Sequence, residues 1–160
     1  MAEIARPDWD EYFLKIASVV GERSTCHRHH MGAITVRDKR ILTTGYNGAA
    51  AGLKDCLELG CLRDEMGIPS GTRAEICRAI HAEQNAIIQA ALHGVSLEGA
   101  TMYCTHTPCV LCAKMMVNSR IVRVVNFREY ADDSFIEMFK EAGITYDIKP
   151  RPSSTITYLD

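Results

Sequence analysis

Apolar residues recur at Trp9, Phe13, Ile16, Ala17 and Val20, the spacing of one helical face. Asp8, with Glu11 three residues on, gives a start signal and Gly21 a stop, so the pattern predicts a helix over residues 8–20. Two short apolar runs follow, Ala33-Ile34 with Val36 and Ile41-Leu42 with Thr44. The polar stretch Arg37-Asp38-Lys39-Arg40 separates them, which reads as an antiparallel hairpin. Ala82, Ala86, Ile87 and Ala90 return to helical spacing, predicting a helix over 79–93 that ends at Gly94.

A short strand over 101–105 precedes Pro108, placed where a missing N–H costs a helix nothing, and that helix carries Cys109, Cys112, Met115 and Met116. A strand over 122–127, a helix over 134–142 and a strand over 144–148 complete the order. Residues 47–78 show no clean period and hold five glycines, one proline and three cysteines. A loop region of that length in a compact domain usually serves function. Residues 149–160 begin with a Pro/Ser-rich run and read as an irregular arm. With no repeat and no boundary, the expectation is one domain over 1–160: an α/β three-layer α/β/α sandwich around a mixed sheet of about five strands.

The 160 residues suffice for one substantial core, and 47% hydrophobic with 24% charged residues is an ordinary globular balance. The net charge of −2 argues against a nucleic-acid polymer as partner, which calls for a basic face. A small phosphorylated substrate stays open, because one or two placed arginines suffice for it. No stretch approaches the roughly 20 apolar residues of a membrane span. The first residues carry acids where a signal peptide carries basic ones, so a cytoplasmic protein is expected. Seven cysteines then point to metal ligation or catalysis more than to disulfides.

The chemistry concentrates in His81-Ala82-Glu83 and Pro108-Cys109-Val110-Leu111-Cys112, each opening a helix. Cys109 and Cys112 are spaced so that both sulfurs of one turn face one metal ion, and a helix N-terminus favours their thiolates. His81 would supply a third ligand. Three protein ligands leave a tetrahedral position for water, the mark of a catalytic rather than a structural zinc. Glu83 stands close to that metal without having to bind it, and suits a proton shuttle.

The two motifs together form H-x-E…P-C-x-x-C, the pattern of zinc nucleobase deaminases. The chain resembles the cytidine-deaminase superfamily, and within it the deoxycytidylate deaminases, over about residues 12–148. Beyond the zinc motifs the likeness runs through Thr25-Cys26 into Met31-Gly32-Ala33-Ile34, through Thr44-Gly45-Tyr46-Asn47-Gly48, and through His81-Ala82-Glu83-Gln84-Asn85-Ala86-Ile87. Gly99-Ala100-Thr101-Met102-Tyr103 and Thr107-Pro108-Cys109 complete it.

The resemblance implies hydrolysis of dCMP to dUMP and ammonia, with Zn2+ at His81, Cys109 and Cys112 and Glu83 carrying protons to N3 and then to the leaving amine. It implies substrate contacts from Asn47, from backbone near Ala82 and from Tyr130. Asn47-Gly48 is equally a turn-forming pair. For a phosphate the candidates are Arg23, Arg28 and Lys39. Some family members carry a second, structural zinc, for which Cys26, Cys56, Cys61 and Cys77 are candidates and His27 a substitute for one of them. Cys104, inside a strand, reads as core. Many members are hexamers with dCTP and dTTP as effectors, although Leu92 replaces a basic residue found in some regulated ones. The same zinc chemistry on cytidine, guanine, a riboflavin-pathway pyrimidine or tRNA adenosine is the alternative. A non-catalytic zinc-binding module is a third reading, against which Glu83 speaks.

Overall fold

The computed structural model describes residues 6–129 and 133–155. The chain runs α1 (Trp9–Gly21), β1 (Gly32–Arg37), β2 (Arg40–Tyr46), β3 (Gly48–Ala49), α2 (Cys56–Leu59), α3 (Leu62–Glu65), a 3₁₀ turn (Ala74–Ile76), β4 (Ala79–Ile80), α4 (Ala82–His93), β5 (Thr101–Cys104), α5 (Val110–Asn118), β6 (Arg123–Asn126), α6 (Phe135–Ala142) and β7 (Thr145–Ile148). Asp8 caps α1 as its position suggests, accepting from the Glu11 amide at 2.8 Å. The β1–β2 hairpin closes through Asp38 and Lys39, both at positive φ, the backbone a two-residue turn between twisted strands requires.

Five strands form one sheet in the order β2-β1-β5-β6-β7. β1 is antiparallel to β2 and β5, whereas β5, β6 and β7 are parallel, so the sheet is mixed. Side chains alternate across it. Ala33, Met102, Cys104 and Val124 join the core beneath α4, α5 and α6. Ile34, Val36, Tyr103 and Val125 pack on the other side against Phe13, Leu14 and Ala17 of α1. That is the expected three-layer sandwich, with Cys104 in the core. α1 is also tied by charge: Arg123 on β6 grips both Asp10 carboxylate oxygens at 2.8 Å and Asp147 on β7 at 2.9 Å. Arg123 chiefly holds the Asp10 carboxyl well below the usual carboxylate range. No helix among the described residues is long and apolar enough to cross a membrane.

Two differences from the sequence reading bear on function. The helix expected from residue 79 begins at Ala82, because Ala79 and Ile80 are spent pairing with β3. The aperiodic stretch 47–78 is not a bare loop. It contains β3, two four-residue helices and a 3₁₀ turn, folded as a cap beside the start of α4.

α4 approaches β2 closely at Gly45. A Cβ there would lie 2.2 Å from the Ala82 carbonyl oxygen and 2.5 Å from the Ala86 amide nitrogen, atoms of rigid helix backbone. Gly45→Ala is therefore expected to cost about 1–3 kcal/mol and to displace the helix start that carries His81 and Glu83. Thermal unfolding should show the stability loss, and turnover per zinc-loaded molecule should also fall. Unchanged values of both would show that α4 yields without consequence.

Candidate metal and catalytic site

The site lies where strands β4 and β5 deliver the chain to the starts of α4 and α5. His81 is the N-cap of α4, its amide donating to Gln84 Oε1 at 3.1 Å. Cys109 is the N-cap of α5, and its sulfur accepts from the Cys112 amide at 3.5 Å. Both residues thus have extended backbones, which turns their side chains across the helix ends towards each other. His81 Nδ1 is 3.5 Å from Cys109 Sγ and 3.4 Å from Cys112 Sγ, and the sulfurs are 3.5 Å apart. A tetrahedral zinc with bonds of about 2.3 Å to sulfur and 2.0–2.1 Å to nitrogen would set these separations at roughly 3.6–3.8 Å. The triangle fits that ion to within a few tenths of an ångström. Among the described residues it is the one group of three His, Cys, Asp or Glu side chains whose ligand atoms all lie within 4.8 Å of one another.

The electrostatics favour one thiolate of the pair: hydrogen bonding to Cys109, then burial, push the Cys112 thiol up. The neighbouring Cys112 sulfur, then the His81 ring and the Cys112 amide, outweigh burial and lower the Cys109 thiol to about 4. Hydrogen bonding to Cys109 raises His81. Glu83, in the first turn of α4, is 5% exposed, and burial pushes its carboxyl above the usual glutamate value despite the opposing pull of His81. A buried carboxyl beside a metal-ligand triangle is placed to accept and return a proton there.

One cavity joins this triangle to the cap: His81, Glu83 and Cys109 line it together with Asn47, Arg28 and Cys26, Cys56, Cys61 and Cys77. Asn47 also has a structural task, its Oδ1 accepting from the Met31 amide and its Nδ2 donating to the His29 carbonyl, both at 2.9 Å. Ala82 is buried at the opening turn of α4. Arg28 turns inward and is held by Asp64 and the Ile68 carbonyl. Arg23 stands exposed beyond α1 and does not line the cavity, and Lys39 lies over the Trp9 ring at 5.1 Å, beside a different cavity. Tyr130 lies outside the described residues. Burial, then Cys77, Cys26 and Cys61, push the Cys56 thiol up, so the four thiols are neighbours, though no three of them meet within 4.8 Å. His27 places Nε2 2.7 Å from the Cys56 carbonyl oxygen, which commits that nitrogen to donation. Among the lining residues that sequence reasoning missed are Arg63, on α3 in the aperiodic stretch, His29 and Thr107.

Residues 7–128 match the cytidine and deoxycytidylate deaminase zinc-binding region. The chain belongs to that family. A deoxycytidylate deaminase of Mycobacterium phage D29 is 43% identical over 131 residues, covering 79% of this chain and 99% of that protein. A deoxycytidylate deaminase of Saccharomyces cerevisiae is 37% identical over 146 residues, covering 91% of this chain but 46% of that larger protein. The chain thus spans about half of the yeast protein's length. A dCMP deaminase of cyanophage S-TIM5, solved in complex with dCMP and dUMP, superposes with a TM-score of 0.75 at 29% identity, covering 90% of this chain and 99% of the other. The family's zinc-binding character and the His81, Cys109, Cys112 triangle point to the same ion.

Proposed function

We propose that this chain hydrolyses dCMP to dUMP and ammonia. The observation that carries the reading is the joining of the His81, Cys109, Cys112 triangle and buried Glu83 to one cavity that also receives Arg28. His81 Nδ1 and the two sulfurs would hold the zinc. When bound, zinc supplies Lewis acidity that lowers the pKa of water to roughly 7. Glu83 moves a proton to N3 of the cytosine ring and then to the departing amino group, so that C4 gains oxygen as it loses nitrogen. Its seclusion keeps that proton from exchanging freely with solvent. Asn47, the backbone at Ala82 and Tyr130 are the proposed contacts to the nucleoside, and Arg28 to the phosphate. The relatives named above, called deoxycytidylate deaminases, support the choice of nucleotide.

The finer parts of this reading are proposals of the same kind. Cys26, Cys56, Cys61 and Cys77, which line one cavity, would hold a second, structural zinc that staples the cap. The chain forms a hexamer with dCTP and dTTP as effectors. Support for assembly comes from exposed Tyr46 on β2 with Ile88 and Leu92 on α4. A cytosolic setting suits seven free cysteines.

Ammonia release from a panel of dCMP, deoxycytidine, cytidine, guanine, a riboflavin-pathway pyrimidine and a tRNA adenosine substrate tests the reading. A buried charge-assisted phosphate contact is worth about 1.5–3 kcal/mol, so dCMP should exceed deoxycytidine by roughly ten- to a hundredfold in kcat/KM. Equal values for the two would overturn the choice of substrate and leave the zinc chemistry standing.

A further inference from the structure

β5 and β6 run parallel and end side by side, Cys104 opposite Asn126. The loop leaving β5 carries Thr107, Pro108 and Cys109, and all three line the cavity with His81 and Glu83. The start of that loop is fastened to β1: the Thr105 amide donates to the Gly32 carbonyl at 3.0 Å, and the Gly32 amide to Thr105 Oγ1 at 3.2 Å. Further along, the Thr107 amide donates at 2.9 Å to the carbonyl of Arg128, in the loop leaving β6. Whatever fixes that carbonyl also fixes Thr107.

The Asn126 side chain does so. Its Nδ2 donates to the Arg128 carbonyl at 2.8 Å, so one oxygen, with two lone pairs to offer, accepts from the cavity loop and from the end of β6 together. The Asn126 backbone is held in turn, its carbonyl accepting from the Lys149 amide at 2.8 Å. Asn126 is fully buried, on the face of β6 that Val124 gives to the apolar core. Its Oδ1 is buried with no hydrogen-bond partner among the described residues. An amide placed in this way costs stability on its acceptor side. What it contributes is the donor to Arg128.

We infer that Asn126 is a positioning residue for the deaminase site, setting the place of Thr107 on the cavity wall through the Arg128 carbonyl. The inference rests on the reading of this cavity as the substrate site. Asn126 itself neither lines the cavity nor belongs to the metal-ligand triangle. Cys109 is anchored separately, capping α5 through its sulfur and accepting from the Ala113 amide at its carbonyl, at 2.9 Å. Release of the Arg128 carbonyl thus loosens the wall beside the substrate and leaves the zinc ligands where they are. Small displacements of such a wall weaken binding because the substrate no longer meets it in one geometry.

The test compares full-length, zinc-loaded wild type, Asn126→Leu and Asn126→Ala on dCMP and deoxycytidine, with dUMP as inhibitor and with zinc content and melting temperature measured alongside. Leucine copies the branching of asparagine, suits an apolar layer, and removes both the donor and the unmatched oxygen. Asn126→Leu should keep its zinc and its melting temperature and hold kcat within about twofold, while KM for both substrates rises about two- to tenfold, the worth of one hydrogen bond. Inhibition by dUMP should weaken by the same factor. Asn126→Ala should show a KM rise in the same range with a lower melting temperature, since it also opens a cavity, and it decides the matter if the leucine variant does not fold. A purely structural asparagine would change stability alone, so unchanged KM and dUMP inhibition in the folded variants would overturn the assignment. Loss of zinc from the folded variants would overturn it as well, by placing Asn126 behind the ligands instead of the wall. A wild type that neither turns over dCMP nor binds dUMP would instead overturn the substrate reading, and the role of Asn126 with it.

Discussion

Glu83→Gln is expected to retain zinc at His81, Cys109 and Cys112 and to lose roughly 10²–10⁴-fold in turnover, the range general acid–base catalysis supplies. The variant isolates proton transfer because glutamine copies the shape of glutamate and cannot accept the proton. Glu83 is buried in the opening turn of α4, two residues from His81, so a larger change would disturb the ligand triangle as well. The expected pH dependence follows from the same burial. Desolvation raises the carboxyl above its ordinary value, so the ionised, proton-accepting form disappears at a higher pH than for an exposed glutamate. Wild-type kcat/KM should therefore begin to fall on the acid side above the usual glutamate range, and that limb should vanish from the residual activity of Glu83→Gln. Zinc analysis alongside steady-state kinetics checks both parts. Near wild-type turnover in a zinc-loaded Glu83→Gln would remove this residue from the chemistry.

The parts of the fold that the sequence shows are those built from short-range repetition. α1, the β1–β2 hairpin and the parallel strands declare themselves through spacings of three, four and two, and the sandwich follows from their order. The two halves of the site are legible for a related reason: His81 with Glu83, and Cys109 with Cys112, each lie within one turn at a helix start, although only the fold brings His81 to the two sulfurs across 28 and 31 residues. What the sequence hides depends on contacts between distant segments. Ala79 and Ile80 look like the first turn of a helix until β3, some thirty residues earlier in the chain, takes them as a strand. Asp64 selects which early arginine turns inward, holding Arg28 across 36 residues while Arg23 stays exposed. Asn47 carries a substrate role by resemblance, whereas its hydrogen bonds to residues 29 and 31 emerge only from the folded chain. Arg63 gave no signal, since a four-residue helix cannot display a period and an arginine in a polar stretch looks solvated.

Cys109→Ala should abolish activity, because it removes one corner of the triangle and the side-chain cap of α5 in a single change. His81 and Cys112 alone leave two ligands where a catalytic zinc takes three, and the ion should be lost on gel filtration in metal-free buffer. The zinc count also reads the second site. If Cys26, Cys56, Cys61 and Cys77 bind an ion, reconstituted wild type should hold about two zinc ions per chain and Cys109→Ala about one. Cys56→Ser should then also fall to about one while keeping most of its turnover per folded molecule, and its melting temperature should drop because a metal bound only by the folded state stabilises that state. About one zinc in wild type and none in Cys109→Ala would show that the four thiols bind no ion and stand in the cap as reduced side chains. Full zinc and full activity in Cys109→Ala would refute the triangle itself, since no other group of three ligand-bearing side chains among the described residues comes together within 4.8 Å.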